Sequence, residues 1–414
     1  MVRIKPFEAI RPSTPQASRV SSPPYDVITT DEACALAQDN PDSFLHVIRP
    51  EIDLPAGTSP YADEVYNAAA AGLAALLERG SLVRDDTPSV FLYRQTWKEH
   101  SQIGLVCCCH VDDYRQDVIR KHETTRPDKE DDRTRHLLTL DAHVGPVFLT
   151  YRDNDEINAI VGDDSTHRPL YHFVTPDGVT HTAWQVPDAQ RYVDLFETIP
   201  LAYVADGHHR SASAERAAAV RAEHNPTHNG TEEYNWFLSV LFPSSQLTIL
   251  PYNRAVIDLG DHNKEDVIAA ISRVGQLLET DDPTPDRPCN FGVRIGGLWY
   301  TLSIDEATVD WSDPIGSLDV SLLQDRVLAP VLGIGDPRTD ERISFIGGIR
   351  GLDALEQKAD AGGIAFALMP TSIEQLLDVA DAGQCMPPKS TWFEPKLRSG
   401  LFIHALDSHT TPVA

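Results

Sequence analysis

Residues 121–136 read KHETTRPDKEDDRTRH, sixteen positions with almost no apolar side chain. A segment this polar cannot cover a hydrophobic core along its whole length. It must be a solvated loop, a helix with two wet faces, or the lining of a polar site. Its neighbours turn apolar again: 137–143 is helix-like, and 147–151 reads as a strand. Within the run, Arg126, Lys129, Arg133 and Arg135 could hold phosphates or a carboxylate. They could equally pair with Glu130, Asp131 and Asp132 on a solvated helix face.

Apolar runs at 45–48, 90–93, 170–174, 181–186, 201–205, 236–242 and 246–250 also read as strands. Alanine-rich segments at 63–77 and 211–224 read as helices, the second stopped by Asn225-Pro226. Beyond them, 263–279, 320–332 and 373–382 look helical, and 291–304 looks like a hairpin around Gly296-Gly297. Strands are expected at 343–346, 363–368 and 401–405, and Ser21-Ser22-Pro23-Pro24-Tyr25-Asp26 reads as a rigid, exposed turn or extended segment. The alternation predicts a mixed α/β (α+β) fold without one long doubly wound sheet. A chain of 414 residues divides into an N-terminal α+β region at 1–115, a core at 116–260 and a C-terminal α/β region at 261–414.

Charge narrows the partners. The chain carries 35 Lys+Arg against 62 Asp+Glu, a net −27, which argues against a protein that coats nucleic acid. A small anion stays possible, because a few donors in one cleft suffice to hold a phosphate. No apolar run approaches the roughly 20 residues that cross a bilayer, so no membrane association is expected. The first nineteen residues, with Pro6, Pro12 and Pro15, show no secretory signal, and a cytoplasmic location is expected. Cys107, Cys108 and Cys109 lie in an apolar stretch and read as buried strand residues; no CxxC pair is present.

The most informative point is Asp206-Gly207-His208-His209-Arg210, between an apolar strand and an alanine-rich helix. The first turn of a helix presents unpaired backbone N–H groups and partial positive charge. Gly207 permits a tight turn and close approach of a ligand. His208, His209 and Arg210 add side-chain donors, and arginine can grip a phosphate bidentately. The arrangement suits a di- or triphosphate. A plain turn capped by Asp206 competes with this reading, as does a metal site of Asp206, His208 and His209. Weaker anion signals are Lys389 in the C-terminal segment and the glycine turn Gly347-Gly348-Ile349-Arg350-Gly351. Asn253-Arg254 is weaker still and reads as closing a strand.

The loop Ala205-Asp206-Gly207-His208-His209-Arg210 resembles the phosphate loop of the ParB/sulfiredoxin superfamily, most closely its free-serine kinases. The wider chain resembles the domain of unknown function 1015 (DUF1015) family through SSPPYDVI at 21–28, KHETTRPDKEDDRTRH at 121–136, ADGHHR at 205–210 and MPPKSTWFEPKLRSGLF at 386–402. The resemblance implies a ParB/sulfiredoxin-like nucleotide-binding core inside 116–260, with additional α/β layers. It implies ATP or ADP as cofactor with Mg2+, and phosphoryl transfer to a small hydroxylated metabolite, best matched by free L-serine. Glu123 then takes the hydroxyl proton with Asp206 as the second catalytic acid. Gly207, His208, His209 and Arg210 cradle the nucleotide; His122, Thr124, Arg126 and Arg133 face the acceptor. Sulfiredoxins carry Cys where His208 stands, so peroxiredoxin reduction is not expected. A ParB-like nucleotide switch and a metal-dependent hydrolase are the alternatives.

If the polar run serves the loop, it should fold back against residues 206–210. Its dense charges otherwise have no reason to interrupt the domain.

Overall fold

Cys107, Cys108 and Cys109 are fully buried near the end of the strand His100–His110, which runs through a nine-stranded mixed sheet. The structure is a computed structural model and describes residues 1–407. In spatial order the sheet runs Ile119–Arg120, Ala202–Asp206, Val147–Tyr151, Trp236–Pro243, His100–His110, Phe91–Trp97, Thr180–Gln185 and Tyr171–Val174, with Ile4–Lys5 paired to His100–His110. Two pairings are parallel: Ala202–Asp206 with Ile119–Arg120, and Trp236–Pro243 with Val147–Tyr151. Every residue of Val147–Tyr151 is buried, as expected for a strand covered on both faces. The strands expected at 147–151, 170–174, 181–186, 201–205 and 236–242 all belong to this mixed α/β arrangement.

Contacts divide the chain into two compact units. One holds residues 1–247 and 395–407; the other holds 248–394. The first contains the large sheet and a four-stranded one, ordered Leu82–Arg84, Ala9–Pro12, Ile403–Ala405 and Ala142–His143. The second is built on an antiparallel six-stranded sheet, with Tyr252–Val256 between Ile343–Gly347 and Ile364–Ala367. Position 115 ends a helix inside the first unit, and 260 lies inside the second.

The polar run becomes a turn followed by the helix Pro127–Leu140, with proline in its first turn where no backbone donor is needed. Its inner face buries Asp132, Thr134 and His136 beside Leu137 and Leu140, so the helical part of the run is not a wholly solvated helix, while 121–126 stays irregular. Asp132 is satisfied there by the Tyr66 hydroxyl at 2.8 Å and by Arg133. This helix packs against His208–His224, across which Ser213 Oγ donates to the Glu130 carbonyl at 3.2 Å and Arg216 pairs with Glu130 and Asp131.

Three local expectations fail. Residues 45–48 form a helical turn, Leu45–Ile48, not a strand; four residues, three of them apolar, are too few for either period to declare itself. The helix expected over 263–279 stops at Val274, and Gln276–Glu279 is a strand paired with Leu298–Ser303. Gly275 makes that break possible: a Cβ there would sit 2.3 Å from the Ser303 carbonyl oxygen. The turn at 21–26 is not simply exposed, since Ser22 and Pro24 are buried.

Asp319 provides a test of the second unit. Its Oδ1 accepts the Cys289 backbone N–H at 2.8 Å, while Oδ2 is buried without a partner. Burial raises its carboxyl to about 6 despite the Cys289 hydrogen bond. The folded state therefore binds this proton more tightly than the unfolded chain. Its ionisation erodes stability as pH rises from about 4 to about 6. Asp319→Asn should gain up to about 2–3 kcal/mol above pH 7 and almost nothing near pH 4. Urea unfolding at the two pH values checks this, and an equal effect at both would contradict it.

Candidate active site

The strand Ala202–Asp206 delivers the chain into Gly207, whose φ of 98° lies in the left-handed region, and the helix His208–His224 starts at the next residue. A side chain at 207 would be strained there, and its Cβ would meet Arg210 Nε at 3.0 Å. No side chain caps the first turn, so Asp206 is not a helix cap. Instead, Asp206 Oδ2 faces Lys396 Nζ at 3.4 Å and an Arg210 guanidinium nitrogen at 3.6 Å. Burial alone would raise the Asp206 carboxyl, but Lys396 and Arg210 outweigh it and hold it well below the usual carboxylate range.

Arg210 lies folded over Gly207, donating to the Pro146 carbonyl, with its Nε buried and unpartnered. Burial lowers its affinity for a proton, but Asp26, Asp206 and Tyr25 more than restore it. Behind it is a cavity of about 50 Å3 lined by Tyr25, Arg133, His143, Gly145, Arg210 and Ser399 among others. That is room for a few waters. Arg133 stacks on Tyr25, 4.2 Å from the ring centroid, and its charge is matched by Asp132 at 2.7 Å.

The polar run does fold back on this turn. His209 Nε2 accepts the Arg126 backbone N–H at 3.1 Å, and His208 Nδ1 lies 3.6 Å from Glu123 Oε2. His122 and His208 meet edge to face at 4.4 Å between ring centroids. Both are buried, which pushes the His208 pKa down to about 3 and that of His122 well below its ordinary value. Neutral rings are the result at physiological pH.

The structure thus brings together His122, Glu123, Asp206, Gly207, His208, His209 and Arg210, all in the first unit. Arg133 joins them through the cavity. Arg126 does so through its backbone only, since its side chain is 70% exposed and paired with Asp128 at 2.9 Å. Thr124 is exposed. His208 and His209 face different partners, and among the described residues no group of three or more His, Cys, Asp or Glu is placed to hold a metal ion. Lys389 belongs to the second unit. Gly347 and Gly348 are packed against Trp392 and Pro251, which gives that glycine turn a packing reason.

Sequence reasoning missed Lys396 and Tyr25. Each lies in a stretch that carried the family resemblance, at 386–402 and 21–28, and that was the signal available. Arg398 in the same C-terminal stretch is tied to Asp177, within a buried network of Thr175, His181 and Tyr93.

A family model described as "Protein of unknown function (DUF1015)" matches residues 4–321. No curated protein matches the chain. Among solved structures, C-terminally truncated SbnI from Staphylococcus aureus is 13% identical, with a TM-score of 0.40 over 74% of this chain and 90% of that one. A free serine kinase in complex with AMP is 12% identical, with a TM-score of 0.35 over 72% and 92%. A conserved hypothetical protein from Pyrococcus furiosus is 12% identical, with a TM-score of 0.35 over 72% and 94%. All three likenesses are distant. Among the described residues no helix is long and apolar enough to cross a membrane.

Proposed function

The chain belongs to the DUF1015 family, and from the resemblance of its 205–210 loop to that of free-serine kinases and the geometry around Arg210 we propose that it is a nucleotide-dependent kinase whose acceptor is a small hydroxylated metabolite, free L-serine in particular. The observation that carries the reading is the placement of Glu123 beside the uncapped first turn that also holds Asp206, His208 and Arg210. Phosphoryl transfer needs a phosphate cradle, charge neutralisation and a positioned acceptor. In this reading the core at 116–260 is ParB/sulfiredoxin-like, and the nucleotide phosphates lie on the outward side of the turn. The 50 Å3 space behind Arg210 is too small for them. Gly207 leaves room for Arg210 to fold over the turn, and Arg210 and Lys396 supply charge.

ATP or ADP fits this donor set. Mg2+ bound with it would offset phosphate charge. Asp206 is already matched by Lys396 and Arg210, so such an ion would rely chiefly on the phosphates. The acceptor oxygen forms a bond to the terminal phosphorus, the bond to the departing nucleotide oxygen breaks, and the hydroxyl proton passes to Glu123. The neutral His208 ring lies 3.6 Å from the Glu123 carboxylate, close enough to face it but too far for a hydrogen bond. Asp206 is a poor base because its proton affinity is so low. We therefore assign it to positioning Lys396 and Arg210.

Purified protein incubated with ATP or ADP, Mg2+ and a panel of hydroxylated amino acids tests the reading. Phosphorus NMR should report O-phosphoserine only when serine and nucleotide are both present. Nucleotide binding without transfer to any acceptor would favour the switch-like alternative, and hydrolysis without acceptor a hydrolase.

A further inference from the structure

Arg254 is a buried charge that the proposed kinase site leaves unused. It sits within the strand Tyr252–Val256 of the second unit and is 4% exposed. Its guanidinium lies 4.6 Å from the Phe345 ring centroid and donates to the carbonyls of Tyr252 and Pro388, the latter at 3.2 Å. Among the described residues no carboxylate comes within 4 Å of it. Burial drops its pKa to about 9, with Tyr252 the one group that opposes the fall. The side chain is nonetheless protonated at neutral pH. A buried charge without a counterion is costly, and an arriving anion would relieve that cost.

The space for that partner is present. A cavity of about 330 Å3 is lined by Arg254, Ser321 and Gln324, with Met386 and other apolar side chains completing the wall. That volume is at the small end of metabolite sites. Ser321 is 6% exposed, and its Oγ is buried with no hydrogen-bond partner. Asp325 and Arg338 also line the cavity; both are exposed and opposite in charge.

We propose that this cavity binds a small monocarboxylate, its carboxylate held by Arg254 and Ser321 and its carbon skeleton against the apolar wall. One buried cation is balanced by one negative charge. A phosphate dianion would leave an excess on a chain of net charge −27. The planar fork of arginine also matches a planar carboxylate. The inference does not depend on the kinase reading, since every residue it uses lies within 248–394.

Calorimetric titration of the full chain with a panel of three- to eight-carbon monocarboxylates is the test, with inorganic phosphate and chloride as controls. Saturable binding at one site is expected for at least one monocarboxylate, accompanied by a rise in Tm. Arg254→Met should abolish it, and Ser321→Ala should weaken it about fivefold, the loss of one hydrogen bond. Ser321→Ala leaves the guanidinium in place and serves if Arg254→Met does not fold. No saturable monocarboxylate binding, tighter binding of phosphate, or unchanged affinity in Ser321→Ala would each overturn the assignment.

Discussion

Glu123→Gln should lower single-turnover phosphoryl transfer by roughly 10²–10⁴-fold, the range of a lost general base. The amide keeps the size and much of the polarity of the carboxylate, and Glu123 is partly exposed, so the fold should tolerate it. Nucleotide affinity should barely change, because binding is assigned to the turn at 206–210 and to Lys396. Kinetics at saturating nucleotide and acceptor separate chemistry from binding. Chemistry retained at the wild-type rate would remove Glu123 as the base. A mutant that lost nucleotide affinity instead would place Glu123 with the phosphates or their cation.

Arg210→Ala should act on binding. Hydrogen bonds to charged groups contribute about 1.5–3 kcal/mol each, so losing one should weaken nucleotide affinity by roughly 10- to 150-fold. Arg210→Lys should fall between mutant and wild type, keeping the charge but not the fork. Arg210 also donates to the Pro146 carbonyl and faces Asp206, so Tm must be measured beside affinity. A folded Arg210→Ala protein with wild-type nucleotide affinity would take the guanidinium out of the cradle.

The turn that organises the site was legible because two local signals meet there. An apolar strand ends at Asp206 and an alanine-rich helix begins at His208, which leaves Gly207 one place to be. The return of residues 121–136 onto that turn was legible only if the run serves the loop, since composition alone also allowed a solvated loop or a helix with two wet faces. Its buried face, with Asp132 and His136 inward, was not legible, because it depends on Tyr66 and on the Val47 carbonyl elsewhere in the chain. Lys396 escaped for the same reason: its partner Asp206 lies 190 residues earlier. The strand Gln276–Glu279 was hidden inside a helical period until the close approach of Ser303 to Gly275 is considered.

The discontinuity of the first unit bears on how the protein is made. Asp206 and Arg210 leave the ribosome long before Lys396, which follows Asp206 by 190 residues, roughly 10–40 s at the usual ~5–20 residues per second. Over that interval Ala9–Pro12 and Ala142–His143 also lack Ile403–Ala405, the strand that joins them in one sheet. The nascent first unit therefore carries an incomplete form of the proposed anion cradle and two open strand edges at once. The same late segment closes both, so the step that hides the edges from neighbouring chains is also the step that completes the cradle.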